Sequence, residues 1–448
     1  MNNKFLKVVV TASLSLLAGS VLACGPLPAN ALSSLAQKAV SEDAAVSAPA
    51  IRTLRESGPK GLDALFEIHA ALIQKHDKEA DKAAWTRLQT ALDSVSGQHD
   101  CYASHLYWYT DLEQAKVAAK STGKPILSLR LLGRLDEEYS CANSRFFRTT
   151  LYPNAEVSAY MRDHFILHWK SVRPIPRITV DFGDGRKIER TVTGNSIHYI
   201  LDSDGQPVDA LPGLYGAKAF LKGLADAERA ALDYAKLGGD AKNQYLREYH
   251  RGRSLAIQTA WNKDITALGY PASYNPYSNS SVSTIFPSPT ALAAGRASIS
   301  KSGVETPMLM SFQDADDAAW AALARLHAQE VSLDAGTQEL IRSKVPTAEE
   351  ASRTAFSKNV VESPMVVTIR NLQRSIAEDT VRNEYRFHSQ IHDWFVSGKA
   401  PKDLDQLNAK VYAELFLTPD SDPWLGLVPA YTFTALPNEG LVQAGYVH

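Results

Sequence analysis

The chain has 448 residues, of which 45% are apolar and 21% charged, and a formal net charge of −2. That length exceeds one ordinary core and implies two to four domains. A pI near 6.6 gives no electrostatic ground for nucleic-acid binding, which needs a basic excess, so no nucleic-acid partner is expected.

Residues 1–23 read as an export leader rather than as part of the fold. Lys4 and Lys7 form a positive start, Val8 to Leu22 an apolar and small-residue stretch, and Ala23 a small closing residue. The stretch is short for a membrane span of about 20 residues. Val21-Leu22-Ala23-Cys24 also resembles a lipobox, although Leu22 stands where a small residue is usual. Acylation of Cys24 would make the mature chain a lipoprotein anchored to the membrane. Plain cleavage would leave it periplasmic. Either product resides in the cell envelope, an oxidising setting where unpaired thiols are unusual. The three cysteines, Cys24, Cys101 and Cys141, therefore leave two outcomes open for the last two: one bridge, or two free thiols.

Residues 24–100 carry helical spacing in Ile51, Leu54, Leu62, Leu65, Phe66, Ile68, Leu72 and Ile73, continued by Trp85, Leu88 and Leu92. Three or four packed helices are expected. Ser41 reads as an N-cap before Glu42-Asp43, and Ser57-Gly58-Pro59 as a break.

Between residues 101 and 224 the pattern changes to α/β. Asp111 caps a helix over Leu112–Ser121, and Gly123-Lys124-Pro125 turns into a buried strand, Ile126–Leu132. Helices at about Ser144–Thr150 and Ala155–Asp163 precede a strand at Phe165–Trp169. Arg177–Phe182 and Lys187–Val192 flank Gly183-Asp184-Gly185, a strong hairpin signal. Ile197–Leu201 is a further strand, Asp202-Ser203-Asp204-Gly205 its turn, and Ala217–Leu224 a closing helix. Strands alternating with helices predict an α/β layer.

The order of these features resembles the thioredoxin-like family, in its exported bacterial form. "DLEQAKVAAKSTGKPILSL" (Asp111 to Leu129) is similar to that family's opening helix and strand, and "SCANSRFF" (Ser140 to Phe147) occupies the place of its redox motif. "NAEVSAYMRDHFILHW" (Asn154 to Trp169) and "IHYILDSDGQPVDALPGLYGAKAFLKGL" (Ile197 to Leu224) are similar to its later helix, strand, hairpin and closing helix. The resemblance implies an α/β thioredoxin-like central domain flanked by helical N- and C-terminal regions. It also departs from the family. The motif Cys141-Ala142-Asn143-Ser144 is CxxS rather than CxxC, the loop ahead of it is lengthened, and Ser196 stands near the expected cis-proline.

A cysteine at a helix start meets unpaired N–H groups and the positive dipole end, both of which favour thiolate. Cys141 is thus a candidate nucleophile, Ser144 a hydrogen-bond donor to its sulfur, and Cys101 either a resolving thiol or a structural bridge partner. Without a resolving cysteine in the motif, the natural product is a mixed disulfide with a protein thiol partner. Asp136, Glu137 and Glu138, if close, would oppose thiolate formation.

Residues 225–448 are mostly helical, with patterning at Asp314–Ala328, Thr347–Lys358, Met365–Phe395 and Leu404–Phe416. Ser273–Ser302 reads as loop, and Thr418–His448 as a tail wrapping the helices. Glu384, His388 and His392 fall at i, i+4 and i+8. The outer two are about 12 Å apart along a straight helix, so only two of the three could share a metal. With Tyr385, Phe387, Trp394 and Phe395 between them, the reading is a half-buried helix with satisfied histidines, and no metal or other cofactor is expected. His99-Asp100-Cys101 are adjacent and would not converge as a triad. Asp181, Asp184, Arg186 and Glu189 read as hairpin edge charges, with Arg173 and Arg186 as an anion-site alternative. P-loop, GxGxxG, GxSxG and HExxH motifs are absent. Two function classes follow: an envelope thiol-disulfide oxidoreductase or monothiol-transfer protein, or an inactive thioredoxin-like scaffold that binds a partner protein.

Overall fold

The computed structural model describes residues 27–75, 81–191, 194–270, 315–344 and 362–425. The leader, Cys24, Ser273–Ser302, Thr347–Lys358 and the tail beyond residue 425 lie outside the described residues.

The described residues open with five short helices: α1 (Ala29–Ala39), α2 (Ala44–Glu56), α3 (Pro59–Ile68), α4 (Ala70–Lys75) and α5 (Lys82–Ser96). Asp43, not Ser41, caps α2. Its carboxylate accepts from the Ala45 amide at 2.8 Å, while the Ser41 hydroxyl accepts from the Asp43 amide one step earlier. Gly58, at φ 70°, turns the chain between α2 and α3. Gly61 then lets the two helices approach, because a Cβ there would lie 2.0 Å from the Leu54 carbonyl oxygen. Leu54, Leu62, Leu65, Leu88 and Leu92 close a core of their own, as the helical spacing requires.

Asp111 caps α6 (Leu112–Thr122) by accepting from the Gln114 amide. Gly123 ends α6 in left-handed backbone at φ 72°. The chain then enters β1 (Ile126–Leu132), which is buried throughout. After β1 come α7 (Ala142–Phe146), a π-helical turn at Phe147–Leu151, and α8 (Ala155–His164). The remaining strands are β2 (Ile166–Arg173), β3 (Arg177–Asp181), β4 (Lys187–Thr191), β5 (Ser196–Leu201) and β6 (Pro207–Pro212). The main sheet has the order β2-β1-β5-β6. β1 runs parallel to β2 and antiparallel to β5, and β5 antiparallel to β6. The expected Asp-Gly hairpin forms as β3–β4, a separate two-stranded sheet inserted between β2 and β5.

The closing helix α9 runs over Ala217–Ala235, past the expected end at Leu224, because Ala227, Ala230, Ala231 and Tyr234 continue its buried stripe. It is followed by α10 (Asp240–Ala267), α11 (Ala315–Leu326), α12 (Ala335–Lys344) and α13 (Glu362–Arg382). A π-helical turn at Asn383–His388 leads into α14 (Ser389–Val396), and α15 (Leu404–Glu414) ends the described helices. The architecture is mixed α/β, a small sheet among many helices. One apolar cluster runs from the sheet into the C-terminal helices. Among the described residues no helix is long and apolar enough to cross a membrane.

Candidate functional site

Two clusters of reactive side chains stand out. The first surrounds Cys141. β1 delivers the chain to it, the Cys141 amide donating to the Leu132 carbonyl at 3.3 Å. Cys141 is the N-cap of α7, and its sulfur accepts from the Ser144 amide at 3.4 Å. Asn143 reaches across to Ser196 at the start of β5, its Nδ2 donating to the hydroxyl at 2.9 Å. Ser196 thus faces the motif, at the place where the sequence lacks a proline. The Ser144 hydroxyl, expected on the sulfur, is buried with no hydrogen-bond partner among the described residues; the backbone amide serves the sulfur instead.

The sulfur is sealed from solvent: Cys141, Ser140, Asn143 and Ser144 are each 0% exposed. Arg145 donates to the Ser140 carbonyl and to the Thr191 hydroxyl at 2.8 Å, fastening the end of β4 over the motif. Arg148 donates to the Glu138 carbonyl and the Ser140 hydroxyl. Both guanidinium groups interact electrostatically with Cys141. The loop carboxylates are occupied elsewhere. Asp136 and Glu137 pair with Arg134, and Glu138 pairs with His99 at 2.6 Å. The expected carboxylate opposition to the thiolate is therefore replaced by flanking arginines.

Cys101 lies elsewhere. It belongs to the N-terminal helical core, where its sulfur contacts the Leu106 carbonyl at 3.9 Å. Burial pushes its thiol far above the ordinary range. Cys101 and Cys141 are both free and buried, so of the two alternatives the bridge is not formed. Of its neighbours in sequence, Asp100 pairs with Lys344 and Arg148, and His99 with Asp93 and Glu138. No triad forms. Arg173 donates to the carbonyls of Thr418, Pro419 and Asp422, and Arg186 pairs with Asp184, so the two do not share an anion site.

His99 carries a pH dependence. Burial alone would lower its pKa, but hydrogen bonds to Asp93 and Glu138 outweigh this and raise it to about 9. A raised imidazole stabilises fully below its unfolded value of about 6.5, and that contribution is lost as pH rises through the folded value. Thermal melts should therefore fall between pH about 6.5 and about 9. His99→Gln should flatten part of that slope, and an unchanged slope would refute the assignment.

The second cluster was half legible in sequence. On β6, Asp209 is buried and meets three helices. Its Oδ1 lies 3.3 Å from His388 Nε2 and 3.9 Å from His392 Nδ1, and its Oδ2 accepts from the Tyr249 hydroxyl at 2.5 Å. The Ala210 amide donates to Oδ1 at 2.8 Å. Glu384 holds the far nitrogen of His388, Nδ1, at 2.8 Å, and in turn pairs with Arg253 at 3.6 Å. His392 Nδ1 meets His250 Nδ1 at 2.7 Å, so one of the two rings must carry the proton there. His392 Nε2 is buried without a hydrogen-bond partner among the described residues. Burial drives His392 and His250 to the neutral form, His250 with a pKa of about 4. Burial would lower His388 as well, but the Glu384 charge and the Asp209 hydrogen bond hold it at about 9.

As the spacing required, only two of Glu384, His388 and His392 converge on one point; Glu384 stands behind His388. The sequence reading missed Asp209 and His250. A lone carboxylate inside the apolar run Pro207–Pro212 was the available signal for the first, and nothing local marked the second. A cleft of about 130 Å3 lies alongside, lined by Leu211, Arg253, His327, Glu330, Glu384 and Tyr385 among others, so Glu384 joins it to the buried cluster. Searches against protein-family models, curated proteins and solved structures find no match to this chain.

Proposed function

We propose that this chain is a thioredoxin-like protein of the cell envelope whose α/β layer serves as a scaffold and protein-binding module, without thiol turnover. The family reading is supported by the strand order β2-β1-β5-β6 with its mixed directions, by Cys141 at the helix start after β1, and by Ser196 facing it. The envelope assignment rests on the leader-like residues 1–23 and Cys24, with a lipid anchor on Cys24 as the membrane link. The helical flanks are the surfaces left for a partner protein.

The observation that carries the scaffold reading is the complete burial of Cys141 under the Arg145–Thr191 contact. Disulfide exchange needs in-line access of a second sulfur to the thiolate. The rival monothiol reading draws on the Ser144 amide at the sulfur and the two flanking arginines, which together favour an anion.

Alkylation of the mature protein followed by mass spectrometry separates the two. Cys101 and Cys141 should both resist iodoacetamide in the native state and label fully in denaturant. Rapid native labelling of Cys141, or a partner protein trapped on it as a mixed disulfide, would establish thiol chemistry and end the scaffold reading.

A further inference from the structure

We propose that Asp209, His388 and His392 form a binding site for one first-row divalent cation of the Zn2+ class. Asp209 and the His388–His392 pair come from distant parts of the chain, yet their ligand atoms all lie within 4.8 Å of one another, and all three are buried. Imidazole nitrogen and carboxylate oxygen are the donor set such ions take, with metal–ligand bonds of about 2.0–2.2 Å. Around a tetrahedral ion that bond length separates neighbouring donors by roughly 3.3–3.6 Å. The Asp209 to His388 Nε2 distance is 3.3 Å and the Asp209 to His392 Nδ1 distance 3.9 Å, so small side-chain shifts close the polyhedron, His392 giving up its contact with His250 to offer Nδ1.

The surroundings are those of a metal site as well. A metal-bound imidazole usually gives its other nitrogen to a carboxylate, which fixes the ring. Glu384 does this for His388 at Nδ1, leaving Nε2 pointed at the cluster. The Asp209 carboxylate is itself oriented by the Tyr249 hydroxyl and the Ala210 amide. His392 is an imidazole with one nitrogen on His250 and a buried Nε2 that no described residue satisfies. A cleft lined by Glu384 lies alongside the cluster.

A network held only by protons would explain the Glu384–His388–Asp209 contacts. It would not explain why a second imidazole, that of His392, is buried against the same carboxylate.

The test uses the full mature chain. Metal content is measured on protein as isolated, and then Zn2+ and Co2+ are titrated into chelator-treated protein. One equivalent should bind, raise the melting temperature, and give the visible bands of a Co2+ centre with nitrogen and oxygen donors. His392→Gln should abolish stoichiometric binding. Glu384→Gln, which keeps the ligands but loses their support, should weaken binding tenfold to a hundredfold. His327→Gln, in the cleft but outside the cluster, should leave it unchanged. Should His392→Gln fail to fold, the wild-type titrations and Glu384→Gln still decide the matter. Absence of bound metal together with no Zn2+ or Co2+ response in folded wild-type protein would overturn the site. Equal binding in wild type, His392→Gln and Glu384→Gln would do the same, by moving the ion elsewhere.

Discussion

Replacing Asp209 with alanine is expected to destabilise the protein by about 3–5 kcal/mol when measured by denaturant unfolding in excess chelator, so that any bound ion plays no part. Burial pushes the Asp209 carboxyl up, but the His392 and His388 imidazoles outweigh it and hold the group well below the usual carboxylate range. Its removal strands three partners at once: His388 Nε2, the Tyr249 hydroxyl and the Ala210 amide. Leaving a buried charge uncompensated costs far more than the pair itself contributes, which is why the expected loss is large. Asp209→Asn keeps the shape and an acceptor for Tyr249 while removing the charge, and should fall between wild type and alanine. A loss below about 1 kcal/mol for alanine would mean that the cluster relaxes freely.

Trp108→Ala should cost a similar amount, about 3–5 kcal/mol, for a different reason. Trp108 is completely buried, stacks obliquely on Tyr152 at 5.4 Å, and donates from Nε1 to Gln98 Oε1 at 2.8 Å. Its carbonyl accepts from Arg55 of α2, so it ties the N-terminal helices to the sheet. The alanine variant opens a cavity and leaves the buried Gln98 oxygen without that donor. Trp108→Phe fills most of the space and loses only the hydrogen bond, so it should recover more than half of the stability. Equal losses for phenylalanine and alanine would assign the effect to the hydrogen bond alone.

What the sequence disclosed follows the range of the interactions involved. The Asp111 cap, β1 and the Gly183-Asp184-Gly185 hairpin rest on contacts a few residues apart, and each stands where the local pattern puts it. The Ser41 cap failed by two residues because Asp43 competes for the same role with a stronger acceptor. The absence of a Cys101–Cys141 bridge could not be seen locally, since spacing does not say that the two sulfurs enter different cores. The histidine cluster lies between these cases. Helical spacing brings His388 and His392 to one face, but Asp209 joins them from 179 residues away, and only the folded sheet supplies it.

The last described helix has a consequence for how the chain is made. α15 lies against the sheet, Asp405 pairing with Arg130 of β1 and Lys170 of β2, and Asn408 accepting from Tyr199 of β5. These contacts span 275, 235 and 209 residues. A polypeptide emerging from its N-terminus completes every strand of that sheet long before α15 exists, so one sheet face and the buried arginine of β1 wait uncovered through the synthesis of some two hundred further residues, a span set by those same separations. Non-local closure of this kind is slow, and bare apolar surface is where nascent chains aggregate. A chain cut short before α15 is therefore expected to aggregate more readily than the full chain, as light scattering of the two would show.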